Sequence, residues 1–170
     1  MKLILLSAEE KQAYKEEIVS ILRTGDRDFV PPLSARFAQD WEEGYFGGMA
    51  SGEILAALDG GHLLGFVAFK KNYLYEDIIT SVTFPNIYVA TLLVHPDARG
   101  RHLTREMYTH IFDTLFPTAS LFTRTWSTNA AHIGILSRFG FSEIARIKDD
   151  RAPGIDTVYF QKSRAECLLS

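Results

Sequence analysis

The sequence predicts an α/β fold in which one twisted, mixed sheet carries helices on both faces, within a single domain over 1–170. Three observations point to it. Short apolar runs rich in β-branched residues alternate with longer stretches whose apolar residues recur every four positions, in the order β α α β β β α β α β β. Asp59-Gly60-Gly61 separates two of the strand-like runs and has the chemistry of a hairpin turn, because those residues accept φ > 0. The stretch 86–115, NIYVATLLVHPDARGRHLTREMYTHIFDTL, reads as strand, short basic turn and amphipathic helix, and the other elements are arranged around it.

In order, 2–6 is a short apolar run, read as a buried strand. Ser7-Ala8-Glu9-Glu10 is a capping box, so a helix starts at once; Tyr14, Ile18, Ile21 and Leu22 form its apolar face and Gly25 ends it. A loop over 26–32 closes with two prolines. Leu33, Phe37, Trp41 and Tyr45 then repeat every four residues and predict one helix, ended by Gly44, Gly47 and Gly48. The hairpin strands are 53–58 and 62–69. The segment 72–84, with Tyr73, Tyr75, Glu76 and Asp77, is either an excursion or a short helix. In the central unit the strand residues Ile87, Tyr88, Val89, Leu92, Leu93 and Val94 precede His95-Pro96-Asp97, where Pro96 stops the strand. Leu103, Met107, Ile111 and Leu115, widened by Tyr108 and Phe112, form the helical stripe, and Pro117 ends it. A strand over 121–126 leads to the cap Ser127-Thr128-Asn129 and a helix with Ile133, Leu136 and Phe139 turned inward, stopped by Gly140. Strands over 141–148 and 155–161, joined by a loop over 149–154, complete the chain.

Composition bounds the function. A chain of 170 residues, 46% hydrophobic and 23% charged, has the make-up of a soluble globular domain. A net charge of −3 argues against sequence-independent nucleic-acid binding, though not against a local basic pocket. The single cysteine, Cys167, permits no internal disulfide and fits a reducing cytoplasm. The apolar start at 3–6 is too short for a signal peptide, the run at 63–69 is too short for a membrane span, and no metal is expected. Monomer and homodimer are both left open.

The basic turn carries the chemistry. The first turn of a helix leaves amide N–H groups without intrahelical partners and bears partial positive charge. Arg99 and Arg101 add two guanidinium groups at the same place, so the turn suits phosphate.

Val94-His95-Pro96-Asp97-Ala98-Arg99-Gly100-Arg101 resembles the acyl-CoA-binding signature of the GNAT superfamily of N-acyltransferases. In that pattern a valine ends a strand, a proline follows two residues on, and Arg/Gln-x-x-Gly-x-Gly/Ala opens a helix. Arg99 and Gly100 match; His102 and Thr104 stand where the pattern has Gly and Gly or Ala. Only the amide is needed at His102, and a helical φ there requires no glycine, so its side chain is expected to turn away from pyrophosphate or to donate to it. Asn129 to Phe141, NAAHIGILSRFGF, is similar to the second signature of the family, an Asn opening a helix that ends in Gly-Phe.

The resemblance implies the family fold, with a mostly antiparallel sheet, and a set of roles. The backbone of Leu92, Leu93 and Val94 would hold the pantetheine arm of acetyl-CoA or CoA as an added strand. Arg99, Gly100, Arg101, His102, Leu103 and Thr104 would hold the pyrophosphate, and Asn129 would meet the arm or serve only as a helix cap. Phe29, Arg36, Tyr73 and Tyr75 would shape the wall for the acceptor, a small-molecule or peptide primary amine. Some relatives carry a glutamate base where Tyr88 stands, so Tyr88 is a candidate proton relay as well as a sheet tyrosine; Glu76 and Asp77 are further candidate bases. Many relatives place a tyrosine acid at the position of Leu136, which has no proton to give. A thiol of pKa about 8.5 leaves tolerably as thiolate without it. The readings in play are an acetyl-CoA-dependent N-acetyltransferase, a CoA-binding sensor without turnover, and a binder of another nucleotide.

Overall fold

The computed structural model describes residues 1–37, 39–73 and 84–164. The chain divides into two compact units, Met1–Lys70 with Val89–His110, and Lys71–Tyr88 with Ile111–Ser170. Seven strands and six α-helices are described, and the fold is mixed α/β with mostly antiparallel strands, as the sequence predicts.

The first unit begins with β1 (Lys2–Leu5), β2 (Glu53–Asp59) and β3 (His62–Lys71), neighbours in that order, with β4 (Asn86–Val94) beside β3. Asp59 pairs with His62 across a two-residue turn in which Gly60 and Gly61 have φ of 57° and 85°. Both values lie in the left-handed region, which is why the turn takes glycine twice. Ile54, Ala56 and Leu58 of β2 and Phe66 and Ala68 of β3 face one way, into a core completed by Ile18, Ile21 and Leu22 of α2 (Lys15–Gly25) and Phe46 and Met49 of α4 (Trp41–Ala50). Leu55, Ala57 and Val67 face the other way and are also buried, and α5 (Leu103–Thr109) packs against β2. This unit therefore has helices on both faces of its strands. Each fully buried Leu or Ile contributes about 1.5–3 kcal/mol, so the alternation fixes the strand faces strongly.

Three expectations for this unit need correction. The run at 2–6 is not a buried strand: β1 is paired on one side only, and Leu5 is exposed while Leu6, just past its end, is buried. The capping box at Ser7 is present, but the helix it opens, α1 (Ala8–Ala13), ends at Tyr14, and α2 starts anew. Gly25 does end α2, though without left-handed backbone; a Cβ there would lie 2.9 Å from Leu93 Cδ2, so the residue is small to let α2 approach β4. The predicted single helix over Leu33 to Tyr45 is two. After α3 (Leu33–Arg36) the chain extends at Phe37, turns through left-handed Asp40 (φ 65°) and restarts as α4, which runs through Gly44, Gly47 and Gly48 instead of stopping at them.

In the second unit β5 (Ser120–Trp126), β7 (Ile155–Lys162) and β6 (Ser142–Ala152) are neighbours in that order, all antiparallel. The strand β6 continues through the predicted loop at 149–152 with an irregularity, where Asp149 (φ 54°) accepts from Gly154 N at 2.6 Å. The central helix departs from the prediction: beyond α5 it widens into a π-turn over His110–Leu115, in which Phe116 N donates to Ile111 O at 2.9 Å. That longer repeat shifts the phase, so Ile111 and Phe112 stay buried while Leu115 drifts outward. The helix α6 (Ala130–Arg138) ends in a Schellman motif: Phe141 N donates to Leu136 O and Gly140 N to Ser137 O, with Gly140 at φ 85°. Of the segment 72–84, Tyr75, Glu76 and Asp77 lie outside the described residues, as does Cys167.

Candidate active site

The turn that opens α5 is set by the sequence around it. His95 N donates to Leu64 O at 2.8 Å, which fastens the end of β4 to β3. Pro96–Ala98 then forms a 3-10 turn, with Ala98 buried beneath it. His95 Nδ1 accepts from Asp97 N at 3.2 Å, so His95 is a turn residue. Arg99 is extended, Gly100 has φ 77° and His102 has φ 60°, ψ 16°. His102 is the N-cap of α5 and gives no side-chain cap. The first-turn amides of Leu103, Thr104 and Arg105 therefore have neither an intrahelical acceptor nor a cap from His102. Arg99 and Arg101 precede them in the chain, both half-exposed.

The expectation of a helical φ at His102 is wrong. The backbone is left-handed there, which explains why the family pattern places glycine at this position. Histidine tolerates this region better than branched residues do, at a cost of about 1–2 kcal/mol. His102→Gly is accordingly expected to stabilise the fold by about 0.5–1 kcal/mol once the extra freedom of glycine in the unfolded chain is subtracted, and thermal unfolding of the two proteins checks this.

The strand before the turn presents two faces. Val89, Thr91 and Leu93 are buried, Leu93 in the core beside α2; Ala90 is exposed, and Leu92 and Val94 are half-covered. Thr91 Oγ1 and the Tyr45 hydroxyl share a hydrogen bond of 2.8 Å that ties α4 to β4. Sequence reasoning missed this pair, since 46 residues separate its members. Phe29 packs against the core of the first unit, and Arg36 donates to the carbonyls of Val30 (2.7 Å) and Pro31 (3.0 Å). Both thus brace the loop they belong to.

The remaining candidates lie in the second unit. Tyr88 is 4% exposed, with Tyr73 stacked at 5.1 Å on it and Phe122 at 4.8 Å. Asn86, two residues before it, accepts from Tyr73 N at its Oδ1 (3.1 Å) and from Asn72 N at its carbonyl (2.8 Å), and its own N–H donates to Asn72 Oδ1 (3.2 Å). Asn129 is the N-cap of α6: its Oδ1 accepts from His132 N at 3.3 Å and its Nδ2 donates to Thr125 Oγ1 at 3.0 Å. Leu136 is fully buried.

His132 is half-buried on α6, and desolvation pushes its imidazole down to about 4. It is neutral at pH 7. Because the folded pKa lies below the unfolded 6.5, the unfolded chain binds the extra proton first as pH falls, so stability is lost between pH 6.5 and 4. His132→Gln is expected to remove on the order of 2 kcal/mol of that loss, read as a flatter acid limb in denaturant midpoints against pH.

Among the described residues, no helix is long and apolar enough to cross a membrane. No curated protein matches the chain. Solved structures with its fold include the ribosomal-protein-alanine N-acetyltransferase of Brucella melitensis, at TM-score 0.71 and 15% identity, covering 96% of this chain and 100% of the other. Another is yncA, a putative acetyltransferase of Salmonella typhimurium with its cofactor acetyl-CoA, at TM-score 0.71 and 16% identity, covering 100% and 97%. A third is an aminoglycoside 6'-N-acetyltransferase complexed with coenzyme A, at TM-score 0.72 and 10% identity, covering 98% and 100%. The model of the acetyltransferase (GNAT) family matches residues 16–141, a span that takes in the strand, the basic turn and both signature helices, and the chain belongs to that family.

Proposed function

We propose that the protein is an N-acetyltransferase that binds acetyl-CoA and passes the acetyl group directly to a primary amine of a small molecule or peptide. The observation that carries this is the opening of α5: first-turn amides without a cap from His102, just after two half-exposed arginines, in the stretch that resembles the acyl-CoA signature of the family. The residues fit the group. His102 keeps the left-handed turn that glycine would give, its side chain is exposed, and a Cβ at Gly100 would meet nothing within 4 Å, so the turn is open to a bulky anion. Structures of CoA and acetyl-CoA complexes among the neighbours support the same cofactor.

The bound cofactor supplies a thioester. The work of the chain is then threefold. Arg99, Arg101 and the amides of residues 103–105 take the pyrophosphate charge. The backbone of Leu92 and Val94, on the less covered face of β4, holds the arm and polarises the carbonyl. The acceptor amine must shed a proton; at pKa near 10.4 this costs roughly 4–5 kcal/mol at pH 7, of which a general base would recover part. The C–N bond forms as the C–S bond breaks, and the thiol leaves as thiolate, so no acid is needed at Leu136. The aromatic cluster around Tyr88 supports a packing role for it beside any proton relay, and the bonds of Asn129 support a capping role.

Leu136, which has no proton to give where many relatives place a tyrosine, motivates a second reading, a CoA-binding module without turnover. A panel of primary amines with acetyl-CoA, followed by release of free thiol, separates the two. Amine-dependent thiol release is expected. Tight CoA binding with no amine-stimulated release across the panel would leave the sensor reading standing in its place.

A further inference from the structure

Arg99 has a carboxylate partner within the chain. Its Nη2 lies 2.9 Å from Oδ2 of Asp28, which precedes it by 71 residues and ends the 3-10 turn Asp26–Asp28 after α2. The turn is itself fixed: Asp26 accepts from Ser34 N at 2.8 Å and from Ser34 Oγ at 2.6 Å, which closes the loop and holds Asp28 in front of the guanidinium. Arg101 is placed similarly but more loosely, 3.6 Å from Asp59, whose carboxylate also lies 3.4 Å from the N-terminal ammonium.

We infer that Asp28 is an intramolecular competitor for phosphate at Arg99, so that the affinity of the protein for the nucleotide end of its acyl donor is set by an exchange of Asp28 carboxylate for phosphate. This rests on the CoA reading above. The side chains of Arg99 and Asp28 are 51% and 57% exposed, so their ion pair is weak enough to be broken by a ligand. It still has to be broken, because the same Nη2 cannot serve the carboxylate and a bidentate phosphate with equal geometry. A freed Asp28 then remains close to the bound phosphate as a like charge. Both effects lower affinity, and both act through one side chain. Asp97 provides the contrast. It lies two residues before Arg99, is 93% exposed and, among the described residues, is ion-paired with His95 Nδ1 at 3.8 Å and not with Arg99, so it carries the same charge near the turn without holding the guanidinium.

The experiment is a double-mutant cycle read by calorimetric titration of CoA. Asp28→Asn is expected to bind CoA about fivefold tighter than the wild type, and Asp97→Asn less than twofold tighter. Asp28→Glu, which keeps the carboxylate on a longer arm, should return affinity toward the wild-type value. In an Arg99→Gln background the gain from Asp28→Asn should shrink below twofold, since the competition has lost its object. An equal gain from Asp28→Asn and Asp97→Asn, no gain from Asp28→Asn, or a gain that persists in the Arg99→Gln background would overturn the inference while leaving CoA binding intact. Failure of the wild type and every variant to bind CoA would overturn the CoA reading and this inference together.

Discussion

Arg99→Glu is expected to lower CoA affinity by about two to three orders of magnitude, and Arg138→Glu by less than about threefold. Each charge-assisted hydrogen bond to phosphate contributes about 1.5–3 kcal/mol, and a carboxylate in its place adds repulsion of similar sign. Arg99 lies in the turn that leads into α5, three residues before its N-cap His102, so reversing its charge also weakens the positive field at that helix start. Arg138 is exposed in the last turn of α6, away from any helix N-terminus. Both substitutions reverse one exposed charge, so the global electrostatic change is matched and the difference reports position alone. Calorimetry on the three proteins reads it. Equal losses would mean that the pyrophosphate does not sit at the α5 turn.

Gly65→Ala should destabilise the protein by about 3 kcal/mol and weaken CoA binding as well. A Cβ built on Gly65 of β3 lies 2.7 Å from Leu93 O and 3.1 Å from Val94 Cα. Those are backbone atoms, so no rotamer change relieves the contact; β4 must move where it leads into the basic turn. Gly47→Ala is the matched control. Nothing lies within 4 Å of a Cβ there, and the residue is inside α4, so the substitution should stabilise by about 0.5–1 kcal/mol. Urea unfolding of both variants is the measurement. A Gly65→Ala protein as stable as the wild type would show that β3 and β4 are not as close as described.

What was legible in the sequence was whatever local chemistry dictates. The Gly60-Gly61 hairpin, the Ser7 capping box, the Pro96 strand stop, the Asn129 cap and the Gly140 stop each depend on a few adjacent residues, and each is found where expected. The errors arise where one signal admits two causes. The four-residue repeat of Leu33, Phe37, Trp41 and Tyr45 is consistent with one helix, yet Asp40 followed by Glu42 and Glu43 is also a helix start, and the chain turns through left-handed Asp40 to begin α4 there. Glycines 44, 47 and 48 read as a stop but cost a packed helix only about 1 kcal/mol each, which the buried Phe46 and Met49 outweigh. For the site, the basic turn was legible because its parts are contiguous. Its left-handed His102 was not, since a φ at a helix start depends on how the 3-10 turn before it delivers the chain. The Asp28–Arg99 and Tyr45–Thr91 contacts join residues far apart in the chain, and no local pattern announces them.

The claim on which the rest depends is that the amides opening α5 receive the phosphate of CoA. Titration of CoA into isotopically labelled protein, followed at the backbone amides, tests it most directly. The largest saturable shifts are expected at Leu103, Thr104 and Arg105, with smaller ones at Leu92 and Val94 on β4. Saturable shifts confined to other amides, or none at millimolar CoA, would contradict it.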